Sequence, residues 1–180
     1  MLLRLLITGP PGVGKTTLVR RVVDYVRQRG VEVHGFITEE VRQGGARVGF
    51  KIINLSTGEW DWLAHVSLFQ GGPRVGKYNV NINAMVRLGI PSILSAKPNS
   101  LLVVDEIGKM ELLAGDFISA IEGVMGSVSF LGTIYMGYGS NPKLTGFIRR
   151  HGIKVIELTR ENRDRVLNEV LNEVRSALGI

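Results

Sequence analysis

The segment Gly9-Pro10-Pro11-Gly12-Val13-Gly14-Lys15-Thr16 constrains this chain more than any other, because it joins two stretches of different periodicity. Leu2 to Thr8 is a near-continuous apolar run, as a strand buried on both faces requires. From Lys15 to Arg29, Leu18, Val19, Val22, Val23 and Val26 fall on one side of a helix. The spacing matches G-x-x-x-x-G-K-[ST], in which glycines let backbone N–H groups converge on phosphate oxygens. Gly9 and Gly14 can adopt dihedrals that other residues resist. Lys15 can neutralise β and γ phosphates, the Thr16 hydroxyl can ligate Mg²⁺, and the following helix adds its positive end. By itself this loop implies phosphate binding and little more.

A second segment narrows the chemistry. Leu101-Leu102-Val103-Val104 is an unbroken apolar run ending in Asp105-Glu106, the pattern of a buried strand with acids at its carboxyl end, where α/β proteins build their sites. A metal ion at a phosphate loop needs such an acid, so Asp105 is the candidate Mg²⁺ ligand with Thr16, directly or through water. Glu106 follows immediately and can orient a water toward the γ phosphorus. The plainer alternative is an exposed acid or a salt-bridge partner of Lys109.

The remaining chain alternates strand and helix. Gly30 is a C-cap, and Val33 to Thr38 reads as a strand parallel to the first, ending before Glu39-Glu40. Arg47 to Leu55 and Glu59 to Ala64, joined by Ser56-Thr57-Gly58, predict an inserted β-hairpin. Gly71 to Tyr78 reads as a flexible loop, and Val80 to Ala96 as mainly helical. Asp116 to Met125, Val128 to Ile134, Pro142 to His151, Lys154 to Leu158 and Asn162 to Leu178 then alternate to the end. The expectation is an α/β fold, a three-layer, mainly parallel sheet with that hairpin inserted, and one domain over residues 1–180.

Composition excludes several classes. With 180 residues, 44% hydrophobic and 21% charged, the chain is neither disordered nor fibrous. No apolar run approaches the roughly 20 residues of a membrane span, so no membrane association is expected. The absence of Cys removes disulfides, thiol catalysis and thiolate metal sites, and fits a reducing cytoplasm. The net charge of +6 would suit a polyanion, yet Arg20-Arg21, Arg149-Arg150 and the Arg160 to Arg165 run are short and interleaved with acids. They read as solvated faces, and a nucleic-acid partner is not expected. His34, His65 and His151 lack the clustering of a zinc site. Trp60 and Trp62 share one sheet face, most simply for packing. Glu39 and Glu40 are candidates to orient water or support a metal, and Tyr78 and Asn81 to stack on or bond to a base.

Taken together, the sequence resembles the small thermophilic or cancer-related nucleoside-triphosphatases of the P-loop superfamily. The resemblance covers nearly the whole chain. It rests on Gly9 to Thr17, Thr38-Glu39-Glu40-Val41-Arg42, Gly49-Phe50-Lys51-Ile52, Val75 to Asn81, Asp105-Glu106-Ile107-Gly108-Lys109-Met110-Glu111 and Glu157 to Asp164. It implies a RecA-like sheet and hydrolysis of nucleoside triphosphates (ATP, GTP, CTP and UTP) to diphosphates and phosphate. It also implies nucleotide contacts at Gly9, Pro10, Pro11, Gly12, Val13, Gly14, Lys15, Thr16 and Thr17, and in Leu101 to Gly108, including Ile107 and Gly108. Lys15 and Glu106 are then the catalytic pair, Mg²⁺ the cofactor, and a cytoplasmic monomer the expected form. One departure stands out. The family often carries an arginine and a histidine after the strand that is here Val128 to Ile134, where this chain has Tyr135-Met136-Gly137-Tyr138-Gly139-Ser140-Asn141-Pro142. Arg42, Arg74, Arg149 and Arg150 are the candidate substitutes. A nucleotide or small-molecule kinase using the same loop is the alternative reading, and a nucleotide-gated binding module the non-enzymatic one.

Overall fold

Alternate residues of β1 (Arg4–Thr8) face opposite sides of the sheet, and both sides are apolar: Leu5 and Ile7 join one buried cluster, Leu6 another. β7 (Leu101–Ile107) repeats this, with Leu101 and Val103 facing one way and Leu102 and Val104 the other. Such strands need cover on both faces. The computed structural model, which describes residues 1–180, supplies it in three layers. On one face lie α1 (Lys15–Arg27) and α6 (Arg163–Leu178), the latter burying Val166, Val170 and Val174 at four-residue spacing. Each buried valine contributes about 1.5–3 kcal/mol. On the other face lie α3 (Ile90–Leu94), α4 (Phe117–Val124) and α5 (Pro142–Arg150), with Phe117, Ile121, Leu144 and Phe147 fully buried.

The sheet has nine strands, completed by β2 (Val33–Gln43), β3 (Ala46–Asn54), β4 (Trp60–His65), β5 (Arg74–Val75), β6 (Tyr78–Val80), β8 (Ser129–Ile134) and β9 (Lys154–Glu157), in the order β5-β6-β4-β3-β2-β7-β8-β1-β9. From β2 to β9 every pairing is parallel. From β2 outward to β5 every pairing is antiparallel. The carboxyl ends of β1, β7 and β8 therefore lie side by side.

Three sequence expectations change. β2 does not end at Thr38: it runs to Gln43 and folds back on β3 through Gly44-Gly45, whose φ values of 57° and 79° are those of a two-residue hairpin turn. The antiparallel part is thus larger than one hairpin, and Glu39 and Glu40 lie within a strand rather than beyond it. The Gly71 to Tyr78 stretch is no open loop, because β5 and β6 pair within it and β6 docks on β4. The predicted helix from Val80 is broken into α2 (Ile82–Ala84), a π-turn at Met85–Gly89, and α3. Pro91 explains the break, since it has no N–H to return to Arg87 and the turn before it widens. Gly30 does cap α1, its φ of 78° allowing Val31 N–H to reach back to the Val26 carbonyl. Trp60 and Trp62 pack edge to face at 6.0 Å, but Trp60 stays 48% exposed under the Lys51 ammonium instead of joining a core cluster.

The pairing of β2 with β7 depends on Gly35, whose φ is +97° and where a Cβ would stand 1.9 Å from the Val103 carbonyl oxygen. Gly35→Ala is expected to cost about 3 kcal/mol or more in urea denaturation. Gly58→Ala is the control, with a φ of +76° and nothing within 4 Å; it should cost only about 1 kcal/mol. Equal losses at the two sites would show that close backbone approach at Gly35 is unimportant.

Candidate active site

The loop after β1 is held by its own geometry and by the neighbouring strand. Gly12 and Gly14 have φ of 77° and 111°, and Val13 is buried beneath the loop while its N–H bonds to the Pro10 carbonyl at 3.2 Å. Gly9 allows no side chain: a Cβ there would meet the Leu158 carbonyl oxygen at 2.7 Å. The Lys15 ammonium folds back over the loop mouth and donates to the Gly9 carbonyl at 2.6 Å. α1 starts directly at Lys15, so its positive end faces the same mouth.

Asp105 lies beside this loop and is only 2% exposed. Its Oδ1 accepts a 2.6 Å hydrogen bond from the Thr133 hydroxyl on β8, while its Oδ2 has no partner. Burial raises the pKa of this carboxyl, opposed by the Thr133 and Thr16 hydroxyls and then by the Lys15 ammonium. Glu106 is pushed up to about 7, chiefly by burial and further by the Asp105 charge, with Lys15 pulling the other way. A third acid completes the group. Glu111, in the 3₁₀ turn Glu111–Leu113, is 4% exposed with an unpartnered Oε2, and burial followed by the Glu106 charge holds its pKa well above the ordinary value. Gly108 makes room for it, since a Cβ there would stand 2.9 Å from Glu111 Oε2 and 3.2 Å from Glu106 Oε1.

A cavity of about 870 Å³ opens over this group. Gly9, Pro11, Gly12, Gly14, Lys15, Thr16, Thr17, Asp105 and Glu106 all line it. Pro10 and Val13 do not, and in Leu101 to Gly108 only the two acids do, because Leu101 to Val104 and Ile107 are wholly buried in the core. Arg42, Arg74, Arg149 and Arg150 do not reach the cavity; Arg150 pairs with Glu122 at 3.1 Å. Arg20 and Arg47 do reach it, paired with Glu39 and Glu40 at 2.9 Å each. Tyr135, Met136 and Gly137, from the segment that follows β8, line it as well.

Tyr78 also lines the cavity, but its hydroxyl accepts from Arg47 Nε at 2.7 Å and its ring packs on Phe50. Its hydroxyl is engaged while its ring borders the cavity, and Asn81 donates to the Trp62 carbonyl at 2.9 Å. Sequence reasoning missed Thr133 and Glu111. Thr133 carries a signal only as a polar residue near the carboxyl end of the Val128 to Ile134 stretch, and the adjacency of β8 to β7 is needed to read it.

The buried acids make a pH prediction. A carboxyl whose folded pKa exceeds its unfolded value stabilises the fold most below the ordinary value near 4.5, and that contribution is lost as pH rises through the folded value. Without nucleotide or Mg²⁺, Tm should fall between pH 5 and pH 8. Glu111→Gln, neutral throughout, should raise Tm at pH 8 and flatten the fall, by roughly 2–4 °C for each kcal/mol regained. A lower Tm at pH 8 for this variant would mean that the charged Glu111 is the stabilised form.

The chain matches known proteins over nearly its whole length. A family sequence model described as NTPase matches residues 4–171. The chain is 42% identical over 177 residues to a protein named nucleoside-triphosphatase THEP1 of Caldivirga maquilingensis, covering 97% of this chain and 96% of the other. It is 40% identical to the human cancer-related nucleoside-triphosphatase, over 95% and 96% of the two chains. The crystal structure of THEP1 from Aquifex aeolicus superposes with a TM-score of 0.79 at 35% identity, over 96% and 98% of the chains. The solution structure of the human protein superposes with a TM-score of 0.83 at 38% identity, over 97% and 98%. With a matching family model, full-length relatives and the same mixed nine-stranded sheet, this chain belongs to the nucleoside-triphosphatase family.

Proposed function

We propose that this chain binds ATP, GTP, CTP and UTP on the Gly9 to Thr17 loop and hydrolyses them to diphosphate and phosphate, with Mg²⁺ as cofactor. The observation that carries the reading is the buried Asp105 with one orphaned oxygen beside Thr16, followed directly by Glu106 in the mouth of the same cavity. The family names of the relatives support hydrolysis as the reaction class. The strand order supports a RecA-like P-loop fold, since β8 separates the loop-bearing β1 from the acid-bearing β7. Residues 1–180 are read as one domain acting as a cytoplasmic monomer, without a nucleic-acid partner.

Asp105 Oδ2 and the Thr16 hydroxyl fit a hard divalent cation. No cluster of three or more His, Cys, Asp or Glu side chains could hold a metal, so phosphate and water would complete the set. When bound, Mg²⁺ supplies neutralising charge to the phosphate oxygens. Lys15 leaves the Gly9 carbonyl to neutralise the β and γ oxygens. Glu106 in its carboxylate form orients a water and takes its proton as the water oxygen bonds to the γ phosphorus; the bond to the β–γ bridging oxygen breaks, and diphosphate departs. Arg20 and Arg47 are the guanidinium groups within reach of developing charge. The kinase reading gains nothing here: a kinase would draw on an arginine-rich lid, and the Arg149-Arg150 pair, a thin candidate for one, stands outside the cavity.

Phosphate release by ATP, GTP, CTP and UTP, with and without Mg²⁺ and without acceptor, tests the proposal. Lys15→Ala should abolish release. Glu106→Gln should lower kcat by about 10²–10⁴ with little effect on KM. An unchanged rate in Glu106→Gln alongside loss in Lys15→Ala would remove Glu106 from its role, and an acceptor that raises diphosphate formation many-fold would replace hydrolysis with transfer.

A further inference from the structure

Glu111 is an acid that neither lines the cavity nor reaches water, and its Oε2 has no hydrogen-bond partner. Proteins retain few buried polar atoms in that condition. The turn that carries it starts directly after β7: Leu112 N–H bonds to the Gly108 carbonyl at 3.0 Å and Ala114 N–H to the Glu111 carbonyl at 3.1 Å, which brings the side chain back beside Glu106. Gly108 marks the meeting point of the two carboxyls. A Cβ there would stand 2.9 Å from Glu111 Oε2, 3.1 Å from Glu106 Cγ and 3.2 Å from Glu106 Oε1. Its φ is negative, so space rather than backbone conformation calls for glycine. Two carboxylates so placed and shielded from water repel one another, and a single proton between them turns repulsion into attraction. Burial, and after it the Glu106 charge, hold the Glu111 pKa well above the ordinary carboxylate value, whereas Glu106, chiefly through burial, is pushed up to about 7. The proton therefore belongs to Glu111, the more deeply buried of the two.

We infer that Glu111 is a positioning residue for hydrolysis, a buried carboxyl whose O–H donates to Glu106; the inference rests on the role of Glu106 proposed above. The hydrogen bond engages one Glu106 oxygen and leaves the other to face the cavity and orient water. Glu111 keeps its proton throughout: the water proton passes to Glu106, and no bond forms or breaks at Glu111. A glutamate at the mouth of a cavity of about 870 Å³ has several rotamers open to it, and a partner behind it removes that freedom before substrate arrives. The plainer role is that Glu111 holds only its own turn, since the backbone N–H groups of Glu111 and Gly108 also attract its carboxyl. That role leaves Oε2 unpartnered and makes no use of Glu106.

The test pairs Glu111→Met, close in volume and unable to donate, with Glu111→Gln, which keeps an N–H donor. Glu111→Met should lower kcat for ATP by roughly 10–100-fold, with KM and the affinity for a non-hydrolysable ATP analogue within about twofold of wild type. Its Tm at pH 8 should not fall, because an unsatisfied buried carboxyl is exchanged for an apolar group of similar shape. Glu111→Gln should recover most of the lost rate. Gly108→Ala, whose methyl enters between the two carboxyls, should lower kcat as Glu111→Met does. The double variant Glu106→Gln/Glu111→Met should be no slower than Glu106→Gln, since Glu111 acts through Glu106. Full activity in Glu111→Met, a Gln variant as slow as the Met variant, or losses that add in the double variant would each overturn the inference. So would a Tm that falls together with kcat in Glu111→Met, the mark of a purely structural acid. Glu106→Gln as fast as wild type would overturn the assignment of the base itself, a failure separate from any result at Glu111.

Discussion

The parallel ladder through β7, β8 and β1 is what the remainder of the molecule depends on. It sets the phosphate loop and the Asp105-Glu106 pair at one end of the sheet, though the chain between them is half the molecule. Parallel strands bury both faces, and the two apolar clusters on either side of Leu5-Leu6-Ile7 fix their level relative to one another. A slip by one residue would turn each of these side chains to the wrong face and would carry Thr133 away from Asp105. The same ladder therefore stabilises the fold and sets the site.

That site holds its acids at a cost. Asp105, Glu106 and Glu111 are drawn together where burial favours their neutral forms, and two of their oxygens have no partner. Protein interiors leave few buried polar atoms unsatisfied, and those that remain cluster where ligands bind. The stability surrendered here is recovered in the apolar clusters, where Phe36, Phe117, Phe130 and Phe147 are wholly buried.

The parts of this arrangement legible in sequence are those encoded by local periodicity. The apolar runs at Leu2 to Thr8 and Leu101 to Val104, the α1 stripe and the Gly30 cap all depend on neighbours close in the chain. The antiparallel extension was only half visible, because Glu39-Glu40 breaks the apolar pattern of β2 while the Gly44-Gly45 turn continues its pairing. Thr133 and Arg47 reach the site through strand order and Glu111 through a single 3₁₀ turn, neither of which has a period to read, while Arg20, one turn after Thr16 on α1, is held there by Glu39 of β2. Arg42, Arg74, Arg149 and Arg150, candidates among which the sequence could not choose, stay outside the cavity, because sequence does not say which cavity a long side chain enters.

A nine-stranded sheet has two open edges, each a row of unpaired backbone groups on which another chain could add a strand. Here one edge is β5, only Arg74 and Val75 long and followed closely by Lys77, too short to offer a stable register. The other is β9, four residues long, with Lys154 tied to Glu169 and Glu173 of α6 at 2.8 and 2.7 Å. Truncated, charged margins leave the wide central sheet without a long unpaired edge that could seed fibrous self-association.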